Sequence, residues 1–395
     1  MSRIRTGRTV AGEREKHRRA EARRRSAGYF DYGLLFFILF LVAFGLVMLY
    51  STSSYVASVH YGDSAYYLKR QFAFALLGLG IMFIVSRVPY HFWYRFAFAV
   101  FAFSLLLNVM VLFMGQSSNG SQRWLAIGPI RFQPSELAKV SVIIFVSYIV
   151  SRAPRKMAKF SNVVKVFALM LPMIGLVAYS NLSTGIIVAG IVFILLFVAS
   201  PKYKDFIAII LLAAAGAAVF LMTFSYRLER VKVWLHPESN PDKAYQTIQG
   251  LYAIGSGGLF GKGLGESLQK LSKVPEPQND MIFSIICEEL GLFGAICIIL
   301  LFVLLIWRLM LIANNTQDLF GSLLVIGIMA HIALQVTLNI AVATNSMPNT
   351  GITLPFISYG GSSLLILLGE MGIALSVSRG IHLVDLNSEL PRNKS

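Results

Sequence analysis

Residues 279–307 read "NDMIFSIICEELGLFGAICIILLFVLLIW". Asp280 opens the stretch, Glu288 and Glu289 stand a little further on, and the apolar run that starts at Met281 does not end until Trp307. A helix of that length covers the ~30 Å hydrocarbon thickness of a bilayer, so the stretch reads as a membrane span with one carboxylate at its mouth and two below it. The rest of the chain agrees. It has 395 residues, 56% hydrophobic and 14% charged, and its mean hydropathy is +0.67, values that exclude an ordinary water-soluble domain. Further spans are expected to begin near Gly33, Phe72, Phe92, Ser135, Val163, Leu182, Phe206, Leu319 and Leu354. With the one at Met281 they make an all-α polytopic membrane protein of ten transmembrane helices.

A basic stretch, "EREKHRRAEARRR", precedes the first span. No small-residue cleavage site follows it, so the span reads as a retained anchor with its basic flank inside. Both termini are then cytoplasmic, and Lys and Arg are in excess on the inner side. The expected organisation is a basic cytoplasmic tail over 1–30, a membrane domain over 31–381 and a short cytoplasmic tail over 382–395. A large outer loop, 225–280, joins helices 7 and 8. The net charge of +16 invites a nucleic-acid reading, but it is concentrated in the tail, which suits anionic lipid headgroups or a docking arm for cytoplasmic partners. No nucleic-acid partner is expected. Cys287 and Cys297 share one span and read as packing residues.

The inner connections, such as "RVPYHFWYR" and "PKYKD", leave no room for a nucleotide-binding domain. The outer connections are long, which marks them as functional. The largest carries Arg227, Arg230, Lys232, Lys243, Lys262, Lys270 and Lys273 against the positive-inside tendency, as an outer anion would require. Its segment "YAIGSGGLFGKGLGES" has neither P-loop nor G-x-G-x-x-G spacing, so the glycines read as tight turns. Just before it, "AYQTIQGLYAIG" has the spacing of an interfacial helix.

The second outer loop runs into "GSQRWLAIGPIRFQPSELAKVSVIIF". Pro134, Ser135 and Glu136 suit a helix start, and Lys139 shares a face with Glu136 one turn inside the membrane. The two either pair with each other or face a polar cavity, and the guanidinium groups of Arg123 and Arg131 with the Trp124 ring suit sugar and phosphate. Asp280, at a helix N-terminus, is either a cap or an ionised base able to take a proton from a hydroxyl. In "MPNTGITLPFISYGGSSLLILLGEMG", the residues Ser358, Tyr359, Gly360, Gly361, Ser362 and Ser363 offer hydroxyls and close packing, and Glu370 requires a partner.

"NGSQRWLAIGPIRFQPSELAK", "YQTIQGLYAIGSGGLFGKGLGES", "PEPQNDMIFSIICEELGLFG" and "MPNTGITLPFISYGGSS" together resemble the successive signatures of the SEDS family (shape, elongation, division and sporulation proteins). The details are closer to its division branch than to its elongation branch. The resemblance implies a ten-helix peptidoglycan glycosyltransferase of the bacterial cytoplasmic (inner) membrane, at the division septum, that polymerises lipid II into glycan strands. It implies Asp280 as catalytic base, with Arg123, Trp124, Glu136, Lys139, Lys262, Lys270, Ser358, Tyr359, Gly360, Gly361 and Ser362 binding substrate. Ser135, Gln249, Glu288 and Glu289 would support the cavity. It implies dependence on a divalent cation, Mg²⁺ or Mn²⁺, with ligands unassigned, and no nucleotide or organic cofactor. The implied partners are a class B penicillin-binding protein and other division proteins. Two positions depart from the family pattern: 179–184 reads "YSNLST" where an acidic E-P-D-x-G-T is common, and Val274 stands where leucine is usual. A lipid II flippase and a non-catalytic scaffold are the rival readings.

Overall fold

The computed structural model describes residues 30–118, 121–127, 130–202, 204, 206–211, 215–216, 231–271 and 274–381. The basic tail, the segment after Ile381 and most of the span expected from Phe206 lie outside the described residues. Among the described residues nine helices are long and apolar enough to cross a membrane, and the chain is an all-α polytopic membrane protein. In chain order these are α1 (Tyr32–Tyr61), α2 (Tyr66–Arg87), α3 (His91–Met114), α4 (Pro134–Arg152), α5 (Phe160–Ser180) and α6 (Leu182–Ala199), followed by α8 (Ile282–Asn315), α9 (Leu319–Ala343) and α10 (Gly361–Arg379). A shorter helix, α7 (Pro241–Ser256), covers "AYQTIQGLYAIG", as its helical spacing predicted, and packs on α8.

Burial sorts the bundle. About 70% of the residues in the apolar windows of α4, α9 and α10 are buried, against 22% in α2 and 28% in α3, so the first three form the centre and the last two face lipid on much of their surface. Helices in lipid associate by close packing rather than by apolar transfer. The α2–α10 pair shows how: a Cβ on Gly372 would lie 2.7 Å from the Met82 carbonyl oxygen, and one on Gly78 would lie 2.5 Å from Leu368 Cδ1.

The structure shifts two expectations. The last span starts at Gly361 rather than near Leu354, because Pro355 and the positive φ of Phe356 (63°) hold 354–360 in an irregular turn. The second outer loop contains a three-stranded antiparallel sheet, with β1 (Gln116–Ser118), β2 (Ser121–Ile127) and β3 (Ile130–Phe132) in the order β1-β2-β3. Leu125 pairs with Phe132 and Ala126 with Arg131, so Arg123, Trp124 and Arg131 are carried on strands of fixed register.

The outer end of α8 is clamped. Gly291 has φ 69° and ψ −167°, which breaks the helix there, and the glycine-rich stretch lies against the break. Lys262 N donates to Glu288 O (3.0 Å), Gly263 N to Glu289 O (3.0 Å), and Leu292 N to Gly258 O (2.9 Å). A Cβ on Gly257 would lie 1.9 Å from the Cys287 carbonyl oxygen, so this glycine serves close backbone approach, while the positive φ of Gly258, Gly261, Gly263 and Gly265 fits the tight turns expected there. Side chains lock the same contact. Lys262 Nζ reaches Glu288 Oε1 at 2.6 Å and Lys270 Nζ reaches Glu289 Oε1 at 2.8 Å. Ser267 Oγ donates to Glu288 Oε2, and Ser51 Oγ of α1 donates to Glu289 at 2.7 Å. Both carboxylates are fully buried.

Removing one partner of such a pair leaves a buried charge uncompensated. Glu289→Ala is expected to destabilise the protein by about 3–5 kcal/mol, read as a lower unfolding midpoint in detergent. The double variant Glu289→Met with Lys270→Met is expected to recover most of that loss.

Candidate active site

The loops at the outer ends of the helices enclose a cavity of about 1170 Å³. Each wall comes from a different element. The outer ends of α1 and α2 supply Tyr61, Tyr66, Tyr67 and Arg70; the small sheet supplies Arg123, Trp124 and Arg131; α4 supplies Glu136 and Lys139. Asn181 and Thr184 come from the start of α6, Gln246 from α7, Asp280 from the entry to α8, and Tyr359 to Ser363 from the entry to α10.

Asp280 lies just ahead of α8, whose N-cap position is Met281, and is 8% exposed. Its backbone carbonyl accepts from Asn339 Nδ2 at 2.9 Å, and the same amide donates to Ile352 O at 2.7 Å. Gln246 Nε2 donates to Asp280 Oδ1 at 3.2 Å, and Asn349 Nδ2 donates to Gln246 Oε1 at 2.9 Å. Asp280 is thus held at its carboxylate from α7 and at its backbone from α9, and it lines the cavity.

Glu136 and Lys139 do both things the sequence left open: they pair at 2.9 Å and they line the cavity. Ser363 Oγ donates to the other Glu136 oxygen at 2.8 Å. Lys139, 1% exposed, also donates to Gln335 Oε1 at 3.0 Å. An ammonium only donates, so the atom facing it is the amide oxygen. His331 Nε2 lies 2.8 Å from that same oxygen and therefore carries a hydrogen, and His331 Nδ1 lies 2.8 Å from Glu370 Oε2. The partner Glu370 required is His331.

Gln335 Nε2 donates to Thr353 O at 3.0 Å, which fixes the amide. His331, Gln335 and Asn339, spaced four residues apart on α9, form one stripe that touches Glu370, Lys139 and Asp280 in turn. Sequence reasoning missed all three. Polar residues at i, i+4 and i+8 inside an apolar span were the available signal.

The remaining wall is aromatic and basic. Tyr61 stacks on Tyr66 with ring centroids 3.9 Å apart, Tyr67 meets Tyr359 edge-on at 5.0 Å, and Arg70 donates to the Tyr66 hydroxyl at 3.0 Å. Burial raises the Tyr359 phenol above its usual pKa, opposed by the Arg70 guanidinium, so it is a neutral hydrogen-bonding group at pH 7. Arg123 Nε donates to Ser180 O at 3.1 Å. In the departing segment 179–184, Asn181 caps α6 by accepting from Ser183 N and Thr184 N, so a neutral amide faces the cavity there.

Not every expected residue meets the cavity. Ser358 lies beneath its wall, where its Oγ donates to Asn279 O at 2.6 Å, and Ser135 accepts from Gln133 Nε2 at 3.1 Å. Gln249 is half-buried on α7 and is not among the lining residues. Lys262 and Lys270, expected to bind substrate, are engaged instead by Glu288 and Glu289, because acids buried in α8 require cations beside them. Glu288 and Glu289 accordingly brace the loop and do not line the cavity. Arg227, Arg230 and Lys273 lie outside the described residues.

The family model for FtsW/RodA/SpoVE, described as cell cycle protein, matches residues 32–382. The chain belongs to this family. Stage V sporulation protein E of Bacillus subtilis is 38% identical over 360 residues, covering 88% of this chain and 97% of that protein. A protein named as probable peptidoglycan glycosyltransferase FtsW of Trichlorobacter lovleyi is 37% identical, covering 91% and 96%. Among solved structures, a chain from a peptidoglycan synthase complex described as coordinating polymerization and crosslinking has a TM-score of 0.74 at 29% identity, covering 89% and 98%. The rod shape determining protein RodA of Thermus thermophilus has a TM-score of 0.64 at 27% identity, covering 90% and 98%. Like these FtsW/RodA/SpoVE relatives, the chain is a multi-pass protein of the bacterial inner membrane.

Gln335 is the joint of the α9 stripe. Gln335→Leu leaves Lys139 and His331 without their shared acceptor and is expected to cost about 1–3 kcal/mol, measured as a lower unfolding midpoint. Gln335→Glu, which keeps an oxygen acceptor, is expected to lose less.

Proposed function

We propose that this SEDS-family chain is a peptidoglycan glycosyltransferase that joins lipid II units into glycan strands, with Asp280 as the general base. The observation that carries the reading is a held carboxylate facing a cavity whose other walls bear Arg70, Arg123, Arg131 and Lys139. The Asp280 carboxylate accepts the proton of the acceptor sugar's C4 hydroxyl as that oxygen attacks the anomeric carbon of the donor. The bond from the anomeric carbon to the diphosphate oxygen breaks, and the electron pair leaves with the diphosphate. Because the leaving group is already a stable anion, no second carboxylic acid is needed to protonate it, unlike in a glycosidase. Guanidinium groups stabilise the charge that develops there. Arg70, Arg123 and Arg131, whose planar forks match phosphate oxygens, are the groups assigned to the diphosphate. Trp124 and the tyrosine wall suit sugar faces.

Among the described residues no group of three or more His, Cys, Asp and Glu could hold a metal ion. Dependence on Mg²⁺ or Mn²⁺ is assigned to the ion that accompanies the substrate's diphosphate, a cation that keeps most of its waters and needs few protein ligands. The division role is likewise part of the proposal, with a class B penicillin-binding protein crosslinking the new strand; relatives named as a sporulation protein, as FtsW and as a rod shape determining protein all match.

The test is polymerisation of purified lipid II by the reconstituted protein with its transpeptidase, with and without divalent cation. Asp280→Asn is expected to lower the rate by about 10²–10⁴-fold while leaving the unfolding midpoint near that of wild type. Full activity in a folded Asp280→Asn protein would sink the assignment of the base. Movement of intact lipid II without glycan product would instead favour a flippase.

A further inference from the structure

The helices α1, α2 and α10, whose outer ends wall the cavity, enclose a second space at their opposite ends, a groove of about 570 Å³. Its floor is apolar, with Met82 and Leu375 buried and Leu35 half-buried. Its mouth carries two guanidinium groups. Arg87 Cζ lies 4.4 Å from the Phe83 ring centroid and Arg379 Cζ lies 4.9 Å from that of Phe30. Tyr32, 74% exposed, stands at the same level, where aromatic side chains mark a membrane interface.

Among the described residues neither Arg87 nor Arg379 forms an ion pair. Asp31, the acid between the groove residues Phe30 and Tyr32, is paired with Arg308 at 2.6 Å and caps α1 by accepting from Leu34 N at 2.7 Å. Among the described residues the groove thus holds two positive charges without a carboxylate to match. Its walls are fixed: Ser376 Oγ donates to Val88 O at 2.6 Å, tying the end of α2 to α10. A cation fork above an apolar trough, at the depth of the headgroups, is complementary to one kind of molecule.

We propose that this groove binds a phospholipid with a net-negative headgroup, from the leaflet opposite the cavity. Arg87 and Arg379 take the phosphate through charge-assisted hydrogen bonds, and an acyl chain lies along Leu35, Met82 and Leu375. Phosphatidylglycerol is the probe. Native mass spectrometry of the full chain, released from micelles with equal phosphatidylglycerol and phosphatidylcholine, counts the retained lipid.

Wild type is expected to retain phosphatidylglycerol preferentially, and Arg87→Gln with Arg379→Gln to reduce that retention about tenfold. Arg87→Lys with Arg379→Lys, which keeps the charge, is expected to retain an intermediate amount. Arg155→Gln with Lys156→Gln removes two exposed cations from the same end of the bundle and is expected to change little. Equal loss in that control, or no loss in the arginine pair, would overturn the site. A chain ending at Ile381 separates the lipid from the protein's own last residues as occupant. Unchanged retention supports the lipid, and retention seen only in the shortened chain overturns it.

Discussion

Glu288 and Glu289 are fully buried near the outer end of α8, where water cannot solvate them, and each needs a cation at hydrogen-bond distance. The outer loop brings Lys262 and Lys270 to them, and that requirement decides the path of the chain from Gly257 to Lys270. Glycines without Cβ atoms let the loop's backbone reach the carbonyls of residues 287–289. With the loop pinned, the segment that follows arrives at the start of α8 in one way, and Asp280 is delivered to the cavity wall. A clamp remote from the chemistry therefore positions the residue assigned to it.

The same constraint recurs through the bundle. Glu136 is matched by Lys139, Glu370 by His331 and Asp31 by Arg308. Two of these pairs meet on α9, whose His331, Gln335 and Asn339 link the deep acid, the cavity lysine and the backbone of Asp280. Such a stripe in a membrane helix is tolerable only because each member finds partners, and its gain is geometric precision at the cavity. Arg70, Arg123 and Arg131 also line the cavity, and their planar forks suit a diphosphate better than a lysine does.

Much of this was legible in the chain. Long apolar runs announced the spans, and a proline and an acid announced the start of α4. Asp280, Arg123, Trp124, Glu136, Lys139, Tyr359, Gly360, Gly361 and Ser362 were singled out before their positions were known, and all of them line one cavity. The misplaced residues share a cause. Lys262 and Lys270 looked like anion ligands because their outer-loop position was visible while the buried acids that engage them were not recognised as partners. His331, Gln335 and Asn339 were passed over because an isolated polar residue in an apolar run has no meaning until the neighbouring helices are placed.

The sequence by itself determined that the chain crosses a membrane many times, and which ionisable and aromatic residues stand at the helix mouths. Both follow from local properties: hydrophobic length sets a span, and a side chain's type sets what it can bind or abstract. Only the tertiary structure decided which charges neutralise one another and which line the cavity. That choice depends on distances of about 3 Å between residues far apart in the chain, such as Lys139 with Gln335 and Ser51 with Glu289.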